Sequence, residues 1–128
     1  MNSPLAFHID PPAIADTGDE LSIQIKFRNR MHTLAPKVML VAVPNAGKRS
    51  AWEGRTRKRE GMVKGFPDMM ALHDGQSYFL EFKAGKGRLS DDQMDCLNRL
   101  VRLDFPVGVF RSADTAVDWL REHGVPIP

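Results

Sequence analysis

Residues 67–83 read PDMMALHDGQSYFLEFK. Two apolar runs, MMAL (69–72) and YFL (78–80), flank the dipeptide Asp74-Gly75. Asp-Gly is among the strongest short hairpin signals, because both residues tolerate the positive φ of a type I′ turn. A two-residue loop sets His73 opposite Gln76, and then Leu72 opposite Ser77, Ala71 opposite Tyr78, Met70 opposite Phe79 and Met69 opposite Leu80. The next pair is Asp68 with Glu81. Directly opposed residues share a face, with Cβ atoms roughly 4.5–5.5 Å apart. Lys83, two residues beyond Glu81, points to that same face.

Like charges directly opposed destabilise a sheet, so two adjacent carboxylates call for a shared proton or a cation. A hard divalent ion fits oxygen ligands at that separation, and magnesium typically uses one or two carboxylates with water and substrate phosphate. Such an ion polarises a phosphoryl oxygen and lowers the pKa of bound water. Lys83 adds a fixed positive charge where phosphoryl transfer develops negative charge. A bland reading of these residues stays open: Asp68 ends a loop after Pro67, Glu81 is an exposed strand residue, and Lys83 forms a surface ion pair with it.

Working outward, 1–16 contain Pro4, Pro11 and Pro12 and read as an irregular arm, with a single domain over 17–128. Thr17-Gly-Asp-Glu20 is a capping-box pattern, with Thr17 as N-cap and Glu20 at the third helical position. A helix over about 18–34 follows, with Leu21, Ile25, Arg28 and His32 beside Gln24, Phe27, Met31 and Leu34; Pro36 stops it. VMLVAV (38–43) is a continuous apolar, β-branched run that reads as a buried strand. After the hairpin and the glycine-rich AGKGR (84–88), Ser90-Asp-Asp-Gln93 is a second capping box, opening a helix with Met94, Leu97, Leu100 and Val101 toward the core. VGVF (107–110) reads as a strand, and Ser112 caps a last helix that Gly124 ends. The expected order is α-β-β-β-α-β-α.

The chain has 128 residues, 42% of them hydrophobic, which suits one domain with one core. Its one cysteine, Cys96, rules out an internal disulfide framework, and the four dispersed histidines show no zinc-type spacing. No run approaches membrane-spanning length, and the first residues lack the charged-then-apolar pattern of a signal peptide. A soluble intracellular protein is expected.

Net charge is only +2, but its distribution is uneven. From Pro44 to Gly65, Lys48, Arg49, Arg55, Arg57, Lys58, Arg59 and Lys64 face only Glu53 and Glu60, giving +5 (7 − 2). This glycine-containing stretch reads as a long, mobile loop, and its charge points either to a polyanion partner or to a solvated surface. Trp52 within it could stack on a base or anchor the loop locally.

The spacing Pro67-Asp68 … Glu81-Phe82-Lys83 resembles the PD-(D/E)XK nuclease motif. The continuation EFKAGKGRLSDDQ (81–93), with KGFPD (64–68) and PNAGKR (44–49), is similar to the virus-type replication-repair nuclease (VRR-NUC) domain. The resemblance covers nearly the whole chain from Glu20. It implies an α/β restriction-endonuclease-like core, a mixed central sheet flanked by helices. It also implies Asp68 and Glu81 as acidic ligands of Mg2+ (or Mn2+), the backbone carbonyl of Phe82 as a further ligand, and Lys83 as the catalytic lysine. Glu20 would face the site from the first helix and Gln93 from the second, although each also fits a capping box. Lys86 and Arg88 would join the basic loop in holding DNA.

The activity implied is hydrolysis of phosphodiester bonds, with branched DNA such as Holliday junctions as substrate and a homodimer as the working form. A cytoplasmic protein of a bacterium or of a phage-infected cell fits this reading. Two other classes remain: a non-catalytic nucleic-acid-binding module on the same fold, and a protein-interaction domain without salt-sensitive DNA binding.

Overall fold

In the computed structural model, which describes residues 6–12, 18–44 and 61–128, Asp74 and Gly75 have φ of 49° and 76°. Both central residues of the turn are left-handed, as a type I′ hairpin requires. The strands it joins, Met69–His73 and Gln76–Phe82, pair in the predicted register, from His73 opposite Gln76 to Met69 opposite Leu80. They are β3 and β4 of a five-stranded sheet in the order β1-β5-β4-β3-β2. β2 is Met39–Ala42, β5 is Val107–Phe110 and β1 is His8–Ile9. β2, β3 and β4 run antiparallel, whereas β5 is parallel to β4 and β1 parallel to β5. Together with the three helices among the described residues this makes a mixed α/β fold.

Four expectations are corrected. The arm over 1–16 is not irregular throughout, because His8–Ile9 adds a short edge strand on β5, placing one strand ahead of the first helix. β2 is not a buried strand: among the described residues it pairs only with β3 and forms the opposite edge, and Met39 is 63% exposed. An unbroken apolar run does not distinguish an edge strand from a central one. The first helix, α1, spans Glu20–Leu34 with Asp19 as its N-cap, the Asp19 carboxylate accepting from Ser22 N at 2.8 Å. Glu20 is therefore the first helical residue and not the third; Thr17, the expected cap, lies outside the described residues.

The row that buries α1 is Ile23, Phe27 and Met31, one residue every four along a single face. Leu21 and Ile25, expected on the apolar face, are exposed. α1 and the last helix, α3 (Ala113–Glu122), share one face of the sheet with Tyr78, Leu80 and Phe82. The middle helix, α2 (Asp91–Arg102), covers the other, where Leu97 and Leu100 meet Phe79, Val107 and Val109. Strand alternation puts Glu81 on the same side as Phe79, under α2.

Gly65 fixes how the chain enters β3. Its φ is +75°, and a Cβ there would lie 2.3 Å from the Asp92 carbonyl oxygen and 2.5 Å from Gln93 N. The segment leading to Asp68 thus presses backbone to backbone against the first turn of α2. Gly65→Ala adds a left-handed penalty to an overpacking clash, so we expect about 2–4 kcal/mol of destabilisation. Chemical denaturation of the variant checks this; an unchanged midpoint would show that the approach is not required.

Candidate active site

The hydrogen-bond parity of β4 decides how the two carboxylates meet. Phe79 N and Lys83 N donate to the Pro106 and Phe110 carbonyls of the β5 segment, so the intervening Phe82 N faces β3. β3 has ended there, and the Asp68 carboxylate takes the place of a ladder carbonyl, accepting from Phe82 N at 2.9 Å. Asp68 and Glu81 consequently occupy a non-hydrogen-bonded pair position, where opposed Cα atoms come to about 4.5 Å and side chains are closest. Asp68 is held on its other side as well, its carbonyl accepting from Val43 N at 2.8 Å. Phe82 is fully buried, its ring between Phe27 and Phe110 at centroid distances of 5.5 and 6.1 Å. This anchors the backbone between Glu81 and Lys83.

Glu81 is 1% exposed, and neither of its carboxylate oxygens has a hydrogen-bond partner among the described residues. That disposes of the exposed-strand reading. Burial above all, then Asp68, which favours the protonated form both by accepting its proton and by its own charge, push the carboxyl up to about 10; Lys83 pulls it down and the Glu20 charge raises it further. At neutral pH the side chain is therefore protonated and can share its proton with Asp68. Ionised, it has no hydrogen-bond donor among the described residues. A buried carboxylate without a donor is costly unless a cation meets it, and this observation tests the fit of a metal. Two hard oxygen donors side by side, with the Phe82 carbonyl between Glu81 and Lys83, suit Mg2+ or Mn2+. No cluster of three His, Cys, Asp or Glu side chains able to hold a metal is found among the described residues, so water and substrate would complete the shell.

Lys83 is half-buried; two residues past Glu81, it takes the same side of the sheet, and its charge lowers the Glu81 pKa. Glu20 is exposed at the start of α1, close enough for its charge to act on Glu81. Gln93 closes the capping box of α2, its side-chain oxygen accepting from Ser90 N at 2.9 Å while Gln93 N donates to Ser90 Oγ at 3.1 Å. Lys64, Lys86 and Arg88 are exposed. Lys64 lies 4.0 Å from Asp92, so it flanks the first turn of α2, and Arg88 precedes that turn by two residues. Lys48, Arg49, Arg55, Arg57, Lys58 and Arg59, with Trp52, lie outside the described residues.

Sequence reasoning missed the buttress behind this end of the sheet. Asp10 and Arg111 are both buried. Asp10 accepts from Arg111 N at 2.8 Å and from Thr115 Oγ1 at 2.5 Å, and His8 lies 2.5 Å from its other oxygen. The Arg111 guanidinium reaches the Asp10 carbonyl and donates to the carbonyls of Gly85 and Gly87, both at 2.9 Å. One arginine thus ties the N-terminal segment to the turn that follows Lys83. Partners a hundred residues apart leave no local signature. Arg111→Ala removes charge-assisted bonds from buried acceptors, and we expect a loss of about 2–4 kcal/mol. Thermal unfolding against the native chain tests it; a change within error would show that water replaces the guanidinium without cost.

Among the described residues, no helix is long and apolar enough to cross a membrane. The family model for the VRR-NUC domain matches residues 12–114. Comparison with curated proteins and with solved structures found no match.

Proposed function

The chain belongs to the VRR-NUC nuclease family, and from that premise we propose that it is a metal-dependent DNA endonuclease hydrolysing phosphodiester bonds, with branched DNA such as a Holliday junction as substrate. The buried Glu81 carboxylate, without a hydrogen-bond donor among the described residues and opposed to Asp68, carries the reading. Asp68, Glu81 and the Phe82 carbonyl would hold Mg2+ (or Mn2+). When bound, that ion supplies Lewis-acid polarisation of a phosphoryl oxygen and a water of lowered pKa.

The chain's own residues do the rest. Lys83 sets a fixed positive charge against the charge that develops on the phosphate. Glu20 adds a negative group at the open side of the site, and Gln93 offers the amide nitrogen that its cap leaves unused. Lys64, Lys86 and Arg88, with the basic residues of 44–65, hold the DNA backbone without reading its sequence. A two-fold homodimer would place symmetric nicks on a four-way junction. On this reading 17–128 form a single nuclease domain, active in the cytoplasm of a bacterium or of a phage-infected cell.

The test is to incubate the full chain with labelled four-way junction, flap and linear duplex, with magnesium, with manganese and with chelator. We expect metal-dependent nicks, fastest on the junction. Binding to all three without any metal-dependent product would favour a non-catalytic nucleic-acid-binding module on this fold. Equal rates on duplex and junction would remove the branched-substrate assignment alone.

A further inference from the structure

From Leu21 to Pro44 the chain carries Lys26, Arg28, Arg30 and Lys37 and no aspartate or glutamate. Arg30 is neutralised by Asp114 of α3. Arg28 has no ion-pair partner among the described residues and projects from the exposed side of α1. Glu20, Gln24, Arg28 and His32 stand four residues apart, so they form one inclined row on α1, next to the buried row of Ile23, Phe27 and Met31. The row begins at Glu20, whose charge acts on Glu81, and runs away from the site toward the free edge of the sheet.

At its far end the row borders a cleft of about 380 Å³ between α1 and the segment leading into β2. Arg28, Asn29 and His32 supply polar groups; Pro36, Val38 and Leu40 supply apolar ones. β2 is the edge strand there, with no neighbour on its outer side among the described residues. A cationic and amide rim over an apolar floor suits a nucleotide strand: phosphate on Arg28, sugar edge against Val38 and Leu40. Eight helical residues separate Glu20 from Arg28, about 12 Å at 1.5 Å each. At about 3.4 Å of duplex axis per base pair, that is the rise of roughly three to four nucleotides of a duplex.

We propose that the α1–β2 cleft is a second DNA-backbone site, holding the strand three to four nucleotides from the scissile bond, on the side of the active site away from α2. This rests on the nuclease reading for its register but not for its chemistry, which asks only for a phosphate backbone. It gives the substrate two anchors, Lys64, Lys86 and Arg88 near the first turn of α2 and Arg28 with His32 along α1, with the carboxylate pair between them.

Fluorescence anisotropy in chelator, across a range of salt concentrations, separates this from its alternatives. The probe is a labelled duplex of about 30 base pairs, long enough to cover both anchors at about 3.4 Å per step. The proteins are the full-length native chain, Arg28→Ala, Arg28→Glu and His32→Ala. Arg28→Ala is expected to weaken binding several-fold at low salt and to reduce the slope of log K against log salt by about 0.9, the loss of one phosphate contact. Arg28→Glu should weaken it further, with native thermal midpoints for both.

Native affinity and slope in both Arg28 variants would overturn the proposal. So would an unchanged slope accompanied by a changed mass in sedimentation, since the cleft would then be a contact between copies of the chain. The nuclease reading fails separately: a reduced slope in Arg28→Ala with no metal-dependent cleavage by the native chain would leave the cleft as a DNA site and remove the enzyme.

Discussion

Asp68→Asn is expected to lower the rate of DNA cleavage by at least about two to three orders of magnitude, the usual cost of removing one preorganised electrostatic group from a site of this kind, while leaving fold and DNA affinity near native. The substitution is chosen for what it keeps. Asp68 accepts the Phe82 amide at 2.9 Å, and the asparagine side-chain oxygen can accept the same bond. What it removes is one negative charge opposite Glu81. Lys83→Ala is expected to fall by about 10²-fold or more, again with binding retained, because the strand holding Lys83 is fixed by Phe82 and by its own amide to Phe110. Single-turnover cleavage of a junction, beside thermal midpoints and anisotropy, makes the comparison. Native-rate cleavage by Asp68→Asn would remove the carboxylate pair from the mechanism.

The second large effect concerns the metal-free chain, whose stability is expected to fall steadily as pH rises from about 5 to about 10. Glu81 has an ordinary carboxylate pKa of 4.5 when unfolded and one pushed up to about 10 by burial and by Asp68 when folded. Between those values the folded chain keeps a proton that the unfolded chain has released, so unfolding becomes easier with each rise in pH. This contribution is fully present below the unfolded pKa and gone above the folded one. Its slope is at most about 1.4 kcal/mol per pH unit.

Glu81→Gln removes the titration, so in chelator the variant should be the more stable protein at alkaline pH and should lose that part of the slope. On the proposed function magnesium is expected to reverse the trend in the native chain, since binding to an ionised pair would release the proton. Calorimetric titration of magnesium in buffers of different protonation enthalpy should therefore report proton release at neutral pH. Parallel pH–stability curves for the native chain and Glu81→Gln would show that Glu81 does not titrate as described.

The hairpin was legible because Asp74-Gly75 leaves little choice of turn, and a two-residue turn leaves no choice of register. Opposition of Asp68 and Glu81 followed from that alone. α2 and α3 were legible for a similar reason, since Ser90 and Ser112 cap where their patterns start. α1 was harder. Leu21, Ile23, Ile25 and Phe27 alternate with polar residues, a strand-like period laid on a helix, and only tertiary packing selects 23, 27 and 31 as the buried row. Its start was ambiguous too, because Thr17 and Asp19 are both good caps and Glu20 follows either. β1 is two residues beside a proline pair, held by pairing with β5 and by Asp10 with Arg111, and no window of sequence contains both partners. The depth of Glu81 depended on α2 lying over that face, which the hairpin by itself does not specify.

The bond from Phe82 N to the Asp68 side chain has a consequence for how such a chain can drift. The acid at 68 terminates the β3–β4 ladder, and on the proposed function it would serve chemistry as well, so two different pressures would act on one codon. A lineage that no longer needs cleavage can accept asparagine there, because an oxygen still meets the amide. Alanine would leave a donor beside the fully buried Phe82 ring with no acceptor, at a cost of about 1–3 kcal/mol, and would loosen the end of the hairpin that fixes which face every side chain takes. Inactive descendants of this fold should therefore be readable by the polar residue they retain at this position, long after the lysine two residues past the glutamate has been replaced.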